Sequence, residues 1–222
     1  MKMLGACYAR NMLEETLKKL YHKAFKPHWR YIEKEIRGCH SLLDLGCGYP
    51  SPVSNFSYKL HTVGVDAFGP SIAKSKADHI HDEYVQTDVL EAHKHFRKKS
   101  FDCVMALDLI EHLDKNSGFK LIEEMETLAR KKVVIFTPNG FLSQPAHGGN
   151  RHQKHLSGWS VDEMRNRGYK VIGINGWKPL RKEFADLRFN PHWLWLAVSD
   201  LTQLVVQYFP KQAFAILCVK TL

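Results

Sequence analysis

Leu43-Asp44-Leu45-Gly46-Cys47-Gly48 follows an apolar run that begins at Ser41, and the reading of this stretch decides the fold. Glycines after a strand let a backbone turn come close to a bound ligand. A dinucleotide fold uses the same turn, so the glycines alone do not choose the ligand. Asp44 does. A carboxylate beside the turn would repel a pyrophosphate and attract the ammonium of an amino-acid moiety. The third glycine of the dinucleotide fingerprint is also missing, since Tyr49-Pro50-Ser51-Pro52 follows instead. The plain alternative is a structural turn with a capping aspartate.

Outward from this turn, strand-like runs occupy residues 41–45, 61–66, 84–88, 101–107 and 132–137. Helix-like or loop segments separate them, and residues 116–130 place Phe119, Leu121, Ile122, Met125 and Leu128 at roughly helical spacing. Strands alternating with helices predict a parallel sheet covered on both faces. Ligands of such sheets lie outside the carboxyl ends of the strands. Asp66 ends the second run, twenty residues after Gly46. That is the spacing at which a carboxylate meets ribose hydroxyls, and it accepts two hydrogen bonds from a diol. Asp88 ends the third run, placed for an adenine amine. The run from Phe101 through Leu107-Asp108 to Glu111-His112-Leu113 carries an apolar strand into a polar turn at the switch region.

Later segments are sparser. Residues 160–167 read as a short helix opened by a capping box, Ser160 with Glu163. Residues 169–175 and 213–219 are two more apolar strands. Between them, 176–212 reads as a helical insertion or cap holding Trp177, Trp193 and Trp195. Within it, a helix over 191–209 gathers Ser199, Asp200, Gln203 and Gln207 near one face, with apolar residues over much of the rest. It would cover the sheet, cap a substrate, form a dimer face or lie on a membrane surface. The N-terminal segment, 1–38, reads as helical over about 11–37 and packs on the domain edge or covers the cofactor. The whole chain, 1–222, reads as one domain.

Composition narrows the class. The 222 residues hold 44% hydrophobic and 25% charged residues, ordinary for a globular protein. A formal charge of +9 favours acidic partners such as RNA, anionic lipid or a phosphorylated metabolite, although no run of five basic residues occurs. Five cysteines without a CxxC pair indicate reduced thiols and a cytoplasmic setting. No stretch reads as a signal peptide or a membrane span.

These motifs resemble those of class I S-adenosylmethionine (SAM)-dependent methyltransferases: LLDLGCG, GVD ending at Asp66, Asp88, and FDCVMALDLIEHL, over about 41–138. The resemblance implies an α/β, Rossmann-like, seven-stranded and mostly parallel sheet, with helices on both faces and an antiparallel last strand. It implies that Asp44, Gly46 and Gly48 surround the methionine end of SAM, Asp66 the ribose and Asp88 the adenine. Leu107 and Asp108 would line the floor near the sulfonium. A narrower likeness covers Phe136-Thr137-Pro138-Asn139-Gly140, Arg151-His152-Gln153-Lys154-His155 and Trp159. That part resembles ubiquinone-type O-methyltransferases and the small-RNA 2′-O-methyltransferases. In the RNA enzymes a Glu-x-x-Glu-His group and a later His hold a divalent metal. Asp108, Glu111, His112 and His155 stand at those positions here. Asp108 is shorter than the glutamate of that pattern, so no metal is expected.

His155 and His112 are the candidate proton acceptors, because imidazole titrates near neutrality. Three function classes stay open. The first is methyl transfer to an oxygen or nitrogen of a small-molecule acceptor. The second is RNA 2′-O-methylation. The third, a non-catalytic SAM-binding protein, is disfavoured by the intact Asp44, Gly46, Gly48 and Asp66. The oligomeric state is left open.

Overall fold

The computed structural model describes residues 27–146 and 151–222. The expected helix over 11–37 therefore lies outside the described residues up to position 26. Seven strands form one sheet: β1 Ser41–Leu45, β2 His61–Asp66, β3 Glu83–Gln86, β4 Phe101–Leu107, β5 Ala129–Pro138, β6 Lys170–Trp177 and β7 Ala213–Thr221. Their order is β3-β2-β1-β4-β5-β7-β6. The first five are parallel, and β7 runs antiparallel to both β5 and β6. This is the architecture the sequence implied, and its switch point lies between β1 and β4.

Alternation along the strands builds two cores. Leu43, Leu45, Val104, Ala106, Val133 and Ile135 share one cluster, covered by helix α3 (Lys115–Leu128) through Leu121, Ile122 and Met125. Leu42, Met105, Val134 and Phe136 share the other, covered by helix α1 (His28–Glu35) through Ile32. A second short helix, α2 (Gly69–Ala77), follows β2 and buries Ile72. Helix α4 (Val161–Asn166) carries the capping box read from sequence, with Ser160 and Glu163 bonded reciprocally.

Two boundaries differ from the expected ones for local reasons. Strand β3 ends at Gln86, because Asp88 turns aside to cap the 3₁₀ helix Val89–Lys94, accepting from Leu90 N at 2.9 Å. Strand β5 starts at Ala129, as α3 ends at Leu128; the exposed Arg130 and Lys131 hid its first turn of alternation.

Helix α5 (His192–Val206) crosses β6. It buries Ser199, Gln203 and Val206 and turns Trp193, Leu201, Leu204 and Val205 outward. The Gln203 amide explains this orientation. Its Oε1 accepts from Gly176 N at 3.0 Å and its Nε2 donates to Gly173 O at 2.9 Å, satisfying backbone groups at the β6 end. Gly173 makes the approach possible, since a Cβ there would lie 2.1 Å from Val206 O. Among the described residues, no helix is long and apolar enough to cross a membrane.

Candidate active site

The carboxyl ends of β1, β2 and β4 open into a cleft made of three adjoining cavities of about 380, 400 and 340 Å³. Asp108 and Gln153 line all three.

The first cavity brings together Gly46, Gly48, Asp66, Asp88, Asp108 and His112. Gly46 and Gly48 have φ of 67° and 55°, in the left-handed region that glycine enters without penalty. This conformation aims Gly48 N–H at Asp66, whose Oδ2 accepts it at 2.9 Å. Asp66 Oδ1 accepts Phe68 N–H at 2.7 Å. Each oxygen thus keeps lone-pair capacity toward the cavity while the carboxylate is fixed in place.

The second cavity is lined by Asp44, Leu107 and Asp108, with His28 and Trp29 from the start of α1. The His28 ring stacks on Phe136, 5.4 Å between centroids. Helix α1 therefore both packs on the sheet and borders the cleft. Asp44 is 1% exposed. Its Oδ2 accepts from Ser51 Oγ at 2.8 Å and lies 3.0 Å from His81 Nε2. Sequence reasoning missed both partners, and His81, thirty-seven positions away, leaves no local signal.

The third cavity holds Asp108, Glu111, His112 and His155. One ligand atom from each of Glu111, His112 and His155 lies within 4.8 Å of the others. The chain builds this cluster from two directions. At the end of β4, Asp108 adopts φ 48° and donates its N–H to Phe136 O at 2.8 Å. The 3₁₀ turn Ile110–His112 follows, and Glu111 is 2% exposed within it. The carbonyl of Glu111 accepts Leu156 N–H at 2.8 Å and Ser157 N–H at 3.0 Å, which draws in the later segment. Trp159 anchors that segment, fully buried and bonded through Nε1 to Ser157 Oγ at 3.0 Å.

Each member of the cluster is oriented from behind. His112 Nδ1 lies 3.2 Å from Lys154 O and His155 Nδ1 lies 2.7 Å from Leu142 O. A carbonyl only accepts, so both Nδ1 atoms carry the proton; the His112 ring also meets the Asp108 backbone. Glu111 Oε2 accepts from Thr137 Oγ1 at 2.9 Å. Glu111 Oε1 is, among the described residues, the buried side-chain polar atom without a hydrogen-bond partner. Burial, reinforced by Asp108, pushes the Glu111 carboxyl well above its usual range. Burial lowers His112 to about 4, and burial also lowers His155.

The comparisons with known proteins agree with this geometry. Residues 43–137 match the methyltransferase domain family. A small RNA 2′-O-methyltransferase of Tetrahymena thermophila is 22% identical over 190 residues, covering 69% of this chain and 45% of its own. The chain thus spans less than half of that relative. The solved small RNA methyltransferase HEN1 superposes with a TM-score of 0.56 at 15% identity, over 86% of this chain and 24% of that one. The methyltransferase domain of bacterial CtHen1-C gives 0.52 at 18%, over 87% and 96%. A SAM-dependent methyltransferase of Archaeoglobus fulgidus gives 0.51 at 17%, over 91% and 99%. At these identities the structural likeness establishes the fold. The motif order, the seven-strand topology and the family match place a methyltransferase domain over residues 43–137, in a sheet of the class I methyltransferase fold.

Proposed function

We propose that the chain methylates a ribose 2′-hydroxyl at the end of an RNA and holds a divalent cation at Glu111, His112 and His155, with Asp108 beside them. The observation that carries this reading is the orphaned Oε1 of Glu111. An unpartnered buried carboxylate oxygen costs about 1–3 kcal/mol, more when charged. Beside two imidazoles whose ligand atoms lie within 4.8 Å of it and of one another, a cation removes that cost. Bound carboxylate and neutral imidazole, each fixed from behind by a hydrogen bond, are what metal ligation requires. This reverses the expectation that the shorter Asp108 excludes a metal, because the three ligands that converge do not depend on its length. The likeness to the Tetrahymena small RNA 2′-O-methyltransferase supports the acceptor class, and the formal charge of +9 suits an RNA partner.

The residues of the first two cavities fit SAM. Asp66 would take the ribose diol, Asp88 the adenine amine, and Asp44, Gly46 and Gly48 the methionine end, with Leu107 and Asp108 as the floor. SAM supplies an activated methyl group on a positively charged sulfur. The cation would supply Lewis-acid polarisation of the acceptor hydroxyls. The protein's share is proximity and alignment, together with exclusion of water by His28, Phe136 and Leu142 around the cluster. His155 and His112 act in this reading as holders of the acceptor end. The buried free thiols Cys39, Cys47, Cys103 and Cys218 fit a reducing, cytoplasmic compartment. A small-molecule acceptor was the first expectation; the cluster favours a vicinal diol instead.

The test uses labelled SAM and a short single-stranded RNA, beside the same oligonucleotide ending in a 2′-deoxynucleotide. Label is expected in the first and not in the second. Equal labelling of both, or labelling of neither, would remove ribose methylation.

A further inference from the structure

The third cavity has one wall that neither the sheet nor the cofactor side requires. It is made by Phe184 and Ala185, from the loop between β6 and α5. Phe184 has φ 56°, ψ 21° and Ala185 has φ 58°. Two successive residues with side chains in the left-handed region are held there only when their surroundings over-determine them. Arg181 is that support. Its Nη1 donates to Ala185 O at 2.7 Å, its Nε to Asn175 O at 2.8 Å and its Nη2 to Ser199 Oγ at 3.1 Å. Lys182 N–H to Asp186 O at 2.9 Å closes the loop behind them. The Phe184 ring is not core, since the residue remains 47% exposed. The fold thus maintains a strained backbone that places Phe184 in the wall of the pocket of Glu111, His112 and His155.

We propose that Phe184 is the stacking surface for the base of the nucleotide whose ribose is methylated, with Arg181 as its positioning residue. The proposal rests on the ribose-methylation reading and names which part of the acceptor the pocket selects. An aromatic face stacks any base, so it sets a requirement for a base without reading sequence. This cavity of about 340 Å³ is lined by both the cluster and Phe184, so one ligand can meet both. The acceptor nucleotide then has its ribose at the carboxylate–imidazole cluster and its base at Phe184. The amides of Gln144 and Asn175 line the same cavity and offer base-edge partners.

The experiment uses the full chain and a single-stranded RNA whose terminal base is the fluorescent 2-aminopurine. Stacking in the wild type quenches the fluorescence. Phe184→Ala should abolish the quenching and raise the KM for RNA roughly tenfold or more, while Phe184→Trp retains both. SAM affinity and melting temperature should stay unchanged in either variant. With an RNA whose terminal nucleotide is abasic, wild type and Phe184→Ala should give the same KM. Unaltered KM and quenching in Phe184→Ala, or an equal loss on the abasic RNA, would overturn the stacking role. Quenching by the wild type without methyl transfer would refute ribose methylation and leave the stacking intact. Methyl transfer without quenching would do the reverse, and an RNA that neither binds nor reacts would overturn both.

Discussion

At the scale of single residues, two carboxylates do different work. Asp66 is fixed by two backbone N–H groups and faces the first cavity. Hydrogen bonds to a charged group contribute about 1.5–3 kcal/mol, so Asp66→Ala should weaken SAM roughly ten- to a hundredfold by calorimetry. Unchanged affinity in a folded variant would displace the ribose from Asp66. Glu111 is buried and held by Thr137 on one oxygen only. Thr137→Val keeps the shape and removes that bond. Losing such a partner costs about 10- to 100-fold in metal affinity, and titration with Mn²⁺ should show the drop. Equal Mn²⁺ affinity in wild type and variant would separate Thr137 from any ligand role. Asp66 was legible from its spacing after Gly46. The Glu111 cluster was legible only as residue types, because Thr137, the Leu142 carbonyl and the bare Oε1 meet it through the fold.

At the scale of elements, helix α5 inverts the usual burial of an amphipathic helix. The sequence gathered Ser199, Asp200, Gln203 and Gln207 on one face, and Ser199 and Gln203 turn inward together with Val206. The reason is that β6 leaves backbone groups of Gly173 and Gly176 unpaired there, which an amide satisfies and a leucine does not. Gln203→Leu should therefore destabilise by about 2–4 kcal/mol in urea denaturation, since two backbone groups lose their partner. Trp193 is 73% exposed and lines none of the three cavities. Trp193→Ala should change stability by no more than about 0.5 kcal/mol. A loss of several kcal/mol would place that ring in a core. Asp102, at the start of β4, joins three strands' beginnings. Burial alone would raise its pKa. The His40 N–H, Lys131 and Arg130 outweigh that and hold it at about 2. A depressed folded pKa gives stability that is full above the unfolded value, about 3.9, and lost as pH falls toward 2. The stability gap between wild type and Asp102→Asn should shrink over that window; a constant gap would contradict the assignment.

At the scale of the whole molecule, the strand order brings every candidate to one edge of the sheet. β1, β2, β4 and the 3₁₀ turn after β4 end at the same cleft, and the segment after β5 returns to it through Leu156, Ser157 and Trp159. Much of this was legible, because β1, β2 and β4 each carry an apolar run that stops at a glycine or an acidic residue. The acceptor side was not. Its walls come from Leu142, His155 and Phe184, in loops without periodicity, whose positions are set by bonds to distant backbone groups. Cofactor side and acceptor side meet at Asp108, which lines all three cavities. Metal-supported ribose methylation is the claim that joins them. It is tested most directly by labelled methyl transfer from SAM to a single-stranded RNA after treatment with EDTA, followed by return of Mn²⁺ or Mg²⁺. Transfer should vanish with EDTA and return with the cation in the wild type, but not in Glu111→Gln. Transfer that survives EDTA, or a Glu111→Gln variant as active as the wild type, would contradict it.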